Sequence, residues 1–68
     1  MKYIDYLFEV IDEGSELCGE LFFVEVLNDE NALEMAWDIA CENFPDVELE
    51  CVGTYTPSMA REIGYDTF

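Results

Sequence analysis

Histidine is absent from the chain, and only two basic side chains, Lys2 and Arg61, stand against seventeen aspartates and glutamates. Without histidine there is no Ser–His or Cys–His pair of the usual kind to activate a nucleophile. Paired carboxylates occur everywhere in so acidic a chain, so none singles itself out as an acid–base couple. A domain of this size also keeps little volume for a substrate cavity once its core is packed. The sequence therefore reads as a protein that is not an enzyme and takes no cofactor. Zinc spacings of Cys and His are missing. Neither the loop acids Asp12, Glu13 and Glu16 nor the series Asp46, Glu48, Glu50 matches the calcium-loop pattern, so no metal site is expected. The lack of any basic patch argues against direct binding to nucleic acid.

Long apolar runs are missing too, which leaves nothing to cross a membrane, and the N-terminus lacks the layout of a secretory signal. A soluble, cytoplasmic protein is expected. Cysteine is sparse and odd in number: Cys18, Cys41 and Cys51 have no CxxC spacing. They read as small apolar core residues in a reducing compartment rather than as a disulfide framework. No repeat, linker or low-complexity tract divides the 68 residues, so residues 1–68 form a single domain.

What the chain has is hydrophobicity and negative charge together. Apolar residues make up 51% of it, too many for a disordered acidic tail, so it folds despite a net charge of −15. Self-repulsion at that level costs stability, while it favours solubility and steers basic partners. A compact chain of this length has a diameter of roughly 28 Å. B-form DNA carries about 16 charges over the same length, so the total charge matches that of a similar piece of duplex.

Hydrophobic periodicity sets out five elements. Lys2 to Ile11 alternate as a strand, with Ile4, Tyr6, Phe8 and Val10 on one face and Tyr3, Asp5, Leu7 and Glu9 on the other. Asp12 to Glu16 reads as a hairpin loop in which Gly14 supplies a positive φ. Leu17 to Leu27 forms a second strand, with Cys18, Phe22, Val24 and Val26 facing one way and Leu21, Phe23 and Glu25 the other; Gly19 marks a bulge or a weak strand end. Asn28 to Asn31 signals a helix start, and the helix runs to about Asn43. Its apolar stripe is Ala32, Leu33, Ala36, Trp37, Ile39, Ala40 and Phe44, its solvent side includes Glu34, Asp38 and Glu42, and Pro45 stops it. Asp46 to Tyr55 is a third strand. Thr56-Pro57 then opens a short helix that ends at Gly64, and the aromatic tail Tyr65 to Phe68 docks.

The order β-β-α-β-α predicts an α+β fold: a three-stranded sheet with one long helix packed on one face, and a short C-terminal helix. Pairing of the third strand with the first gives the favoured, fully antiparallel order 2-1-3; pairing with the second would be parallel and need a right-handed crossover. The other sheet face is then free and mixes carboxylates with large apolar groups, the composition of an interaction surface. Its candidate partner-binding residues are Tyr3, Asp5, Glu9, Phe23, Glu25, Glu48 and Glu50, with carboxylates in the place of phosphates and aromatics as anchors. The competing expectation is that the short helix, or a second copy of the chain, covers this face. The partner expected is a basic nucleic-acid-binding protein, met by a monomer or a homodimer.

In size, charge and β-β-α-β layout the chain resembles the small acidic proteins of bacteriophages and mobile elements, the group that includes anti-CRISPR proteins and other DNA mimics. The stretch Thr56-Pro57-Ser58-Met59-Ala60-Arg61-Glu62-Ile63-Gly64-Tyr65-Asp66-Thr67-Phe68 has the same character. That group shares no common fold or motif, so the resemblance carries over a mechanism and no residues. It implies an inhibitor, in the host cytoplasm if phage-encoded, whose acidic surface fills the DNA-binding or PAM-reading groove of a CRISPR effector, where carboxylates offer arginines a bidentate partner. An antitoxin or immunity-type protein that caps a basic toxin or nuclease, and an acidic structural or regulatory module, are the alternatives.

Overall fold

Alternation in the N-terminal segment resolves into strand β1, Tyr3–Val10, in a computed structural model that describes residues 2–68. A second strand, β2 (Leu21–Leu27), pairs antiparallel with β1 in a register that places Tyr3 opposite Leu27, Asp5 opposite Glu25 and Leu7 opposite Phe23. Helix α1 (Ala32–Asn43) follows, then β3 (Leu49–Tyr55) and helix α2 (Pro57–Ile63). The sheet is fully antiparallel in the order β2-β1-β3, the favoured of the two arrangements the sequence allows.

Between β1 and β2 the chain departs from the expected hairpin. The second strand begins at Leu21 rather than Leu17, because Ser15 to Gly19 form tight turns in which Cys18 N–H donates to Ser15 O (3.2 Å) and Glu20 N–H to Leu17 O (2.9 Å). Gly19, at φ 94°, takes the positive φ expected of Gly14. Gly19 N–H donates to Val10 O and Val10 N–H to Glu20 O, so two residues face one in a bulge that needs glycine. Cys18 is consequently exposed and does not join the core, and Cys41 is exposed as well; only Cys51 is partly buried, and all three thiols are free.

The main core lies between the sheet and α1. Phe8, Val10, Phe22, Val24 and Val26 meet Ala32, Ala36 and Ala40, whose small side chains recur every four residues and let the helix sit close. Phe8 stacks on Phe22 (centroids 5.6 Å) and takes the edge of Trp37 (4.9 Å), and Phe22 stacks on Phe44 (4.4 Å). Full burial of one such phenyl stabilises the fold by about 1.5–3 kcal/mol. Leu33, expected on the buried stripe, is exposed: it lies roughly 100° around the helix from the alanine row, on the side from which the longer Trp37 still reaches Phe8. Asp29 shapes the entry to α1 by accepting the Asn31 N–H on Oδ1 (2.9 Å), although no side chain caps the first turn itself.

The third strand is shorter than the predicted Asp46–Tyr55, since Pro45 to Val47 are spent in turns. A β-bulge interrupts its pairing: Leu7 faces Gly53 while Phe8 faces Cys51, so Val52 is the extra residue. Upstream of it, Leu49 and Cys51 point toward α1; downstream, Tyr55 points to the opposite face. Thr56 follows at once as the N-cap of α2, its Oγ1 accepting the Met59 N–H (3.3 Å), with Pro57 in the first turn and Gly64 ending the helix at φ 90°. The overall body is a slab of 38 × 25 × 15 Å rather than the sphere assumed from chain length.

Candidate functional site

The face of the sheet turned away from α1 carries six of the seven predicted site residues, Glu48 lies just before β3, and the fold splits the set. A second, smaller core forms at its centre, where Ala60 of α2 buries Leu7 and Phe23, flanked by Leu21 and Tyr55. The C-terminal tail completes the cover. Phe23 N–H donates to Asp66 O (2.8 Å), Phe68 N–H to Phe23 O (2.8 Å) and Glu25 N–H to Phe68 O (3.0 Å), so the tail runs as a parallel ribbon along the outer edge of β2. Tyr65 lies on Phe23 (5.8 Å), and Phe68 turns its ring onto Phe22 and Phe44 from the other side.

Phe23 and Asp5 are therefore buried and do not belong to a partner-binding surface. The free-face expectation is overturned for the middle of the sheet; α2 and the tail supply the cover. The remaining five stay accessible, in two groups. Glu9, half-buried, lies opposite the exposed Glu50, with exposed Glu48 just beyond it. Tyr3 and Glu25, both exposed, lie toward the other end. Six steps of extended strand separate Tyr3 from Glu9, about 20 Å.

Asp5 is the one buried carboxylate; every other Asp and Glu is at least partly exposed. It is 2% exposed, its Oδ1 has no hydrogen-bond partner, and Glu25 and Tyr55 are its cross-strand neighbours. Burial, then the charge of Glu25 and the hydrogen bond between the two carboxyls, push its pKa above the ordinary value, and Arg61 on α2 pulls weakly the other way. Two acids are too few for a metal cage, and no group of three or more metal-binding side chains is found among the described residues.

Two further features lie outside the seven predicted site residues or extend beyond them. On the outer face of α1, Glu34, Asp38 and Glu42 recur at every fourth residue and are all exposed, a ladder of like charges about 6 Å apart. Around Tyr3 lie two clefts, of about 270 Å³ and 240 Å³, that share this residue as a common wall. The ladder was legible as a solvent side; the clefts depend on how strand ends and helices meet.

Fold and surface together define a small acidic α+β protein whose second sheet face is mostly closed by its own C-terminal segment. No protein-family model, curated protein or solved structure matches the chain. Among the described residues, no helix is long and apolar enough to cross a membrane.

Proposed function

We propose that the protein is a non-catalytic inhibitor that occupies the basic nucleic-acid-binding surface of another protein in place of DNA. A CRISPR effector is the partner that its resemblance to phage-type acidic proteins implies. The observation that carries this reading is the α1 ladder. Like charges at i, i+4 destabilise a helix by about 0.2–0.5 kcal/mol per pair, so Glu34, Asp38 and Glu42 work against folding. Charge kept at a cost to the fold points to a role outside it.

The charge density reaches about two-thirds of that of duplex DNA. A net charge of −15 along a 38 Å body is about one charge per 2.5 Å, against about one per 1.7 Å for duplex DNA. With Asp5 alone withdrawn, that charge is displayed to solvent, where it accelerates encounter with a basic groove. Arginines that normally read phosphates or base edges find bidentate carboxylate partners instead.

The test is competition. A partner captured from host lysate should be displaced by duplex DNA, and Glu48→Lys with Glu50→Lys should weaken binding at least about tenfold while leaving the circular dichroism spectrum unchanged. A partner that stays bound in excess DNA, or an association rate indifferent to salt, would sink the reading.

A further inference from the structure

We propose that the end of the molecule around Tyr3 is an anchor site for an arginine side chain of a basic partner, seated beside an apolar residue of that partner. The inference rests on the reading that the partner is basic, and it assigns the contact that holds that partner once charge has brought it close.

A chain of 68 residues leaves four large apolar side chains half in water at this end: Tyr3 at 54% exposure, Leu27 at 55%, Met35 at 51% and Met59 at 51%. Tyr3 and Leu27 are cross-strand neighbours, and Tyr3 separates the two clefts. The larger cleft runs between the end of β2 and α1. Leu27, Met35 and Ile39 line its apolar wall, and Glu25 and Asp29 stand at its polar side. The smaller lies between β1, β3 and α2, with Ile4, Tyr55 and Met59 lining it.

This combination selects arginine. The aliphatic stem of an arginine lies along Leu27 and Met35, and its planar head stacks on an aromatic ring. Two carboxylates then receive the guanidinium. Asp29 is already oriented, since its Oδ1 accepts the Asn31 N–H. Glu25 has its backbone N–H tied to Phe68 O, and it is the cross-strand partner of Asp5, so a cation placed on Glu25 also meets the field of a second, buried carboxyl. Lysine lacks the fork and the stacking plane. An apolar neighbour of the arginine fits the smaller cleft, where the flexible Met59 adapts to its shape.

The experiment is an amide-resolved NMR titration of the intact protein with three capped peptides: alternating arginine–leucine, alternating lysine–leucine, and poly-arginine. The arginine–leucine peptide should shift the amides of Tyr3, Leu27 and Met35 and bind about tenfold tighter than its lysine counterpart. Tyr3→Ala and Met35→Ala should each weaken it about fivefold or more, and this loss should persist in about 0.5 M salt, where surface charge is screened. Both side chains are half exposed, so the variants should keep the wild-type spectrum elsewhere. Shifts confined to Glu48, Glu50 and the α1 ladder, or full affinity in both variants, would overturn the anchor while leaving the acidic-recognition reading standing. Failure of all three peptides to bind at low salt would overturn both. A peptide-free dimer abolished by Tyr3→Ala would assign the site to a second copy of the chain and overturn the proposal.

Discussion

Replacing Asp5 with asparagine should stabilise the protein, and the gain should depend on pH in a defined direction. The carboxyl is 2% exposed and its Oδ1 has no partner. Three groups face it: Glu25 from β2, Tyr55 from β3 and Arg61 from α2. Burial and Glu25 raise its pKa above 3.8, so the folded state holds the proton more tightly than the unfolded chain does. The cost of the ionised form is therefore present in full above the folded pKa. It is relieved as pH falls through that value and is gone below about 3.8, so this group makes the fold more stable on acidification. Asparagine has the same shape, does not titrate, and donates a hydrogen bond to Glu25. The new hydrogen bond from the amide to the charged Glu25, in place of carboxylate–carboxylate repulsion, is worth about 1.5–3 kcal/mol, which sets the expected gain near pH 8. In a domain this small, each kcal/mol moves Tm by about 4–8 °C. Trp37 packs edge-on against Phe8 and reports unfolding by fluorescence. Thermal melts of both proteins from about pH 8 down to about pH 3.8 should converge as the pH falls through the raised folded pKa. The general self-repulsion of the acidic surface is nearly common to the two, so their difference isolates Asp5. A Tm difference that is zero throughout, or that stays constant to the acid end, would refute the reasoning.

Other consequences are as direct. Ending the chain at Gly64 removes the backbone bonds from Phe23, Glu25 and Phe68 and the Tyr65 and Phe68 rings; urea unfolding should show a loss of about 2–4 kcal/mol, with Phe68→Ala alone costing about 1 kcal/mol. Gly64→Ala meets no atom within 4 Å, so its cost comes only from the positive φ and should be about 1–2 kcal/mol in the same assay. A thiol-specific chromogenic reagent should modify Cys18 and Cys41 quickly. Cys51 should lag, since burial raises its thiol pKa more than the contact with Gly53 O lowers it; uniform reactivity at all three would contradict the structure.

Local patterns carried the parts of the fold that rest on side-chain chemistry. The alternation of β1, the alanine row of α1, and the run from Thr56-Pro57 to Gly64 each state their element and its ends in residue types. What escaped depends on pairing between distant backbones. Leu49, Cys51, Gly53 and Tyr55 alternate without a break, and only the register against β1 shows that Val52 is extra and that Tyr55 has changed faces. Gly53, with no side chain to pack, was the one local hint. The tail joins β2 through main-chain bonds as well as its two rings, and its aromatic composition says that it docks but not where. That is why Asp5 and Phe23 were read as free. Cys18 looked like a strand residue until turn bonds claimed its backbone, and Leu33 was placed inside because a broad apolar stripe does not reveal which of its residues lie nearest the sheet. The carboxylate–aromatic surface sought in the middle of the sheet was thereby displaced: its carboxylates remain at the Glu48 and Glu50 end, and its exposed apolar groups gather around Tyr3.

The order β2-β1-β3 places the first strand made in the middle of the sheet. After pairing with β2, that strand keeps one bare edge until β3 arrives, about 40 residues beyond its own end. A β1–β2 ribbon formed before β3 arrives would have an open side that is a template for another chain. The electrostatic repulsion between two such ribbons acts from the first moment of synthesis, long before any groove or partner is met. The surplus of carboxylates thus guards the nascent chain against its own kind, and a charge-neutralised variant should aggregate during refolding even where its native state is the more stable one.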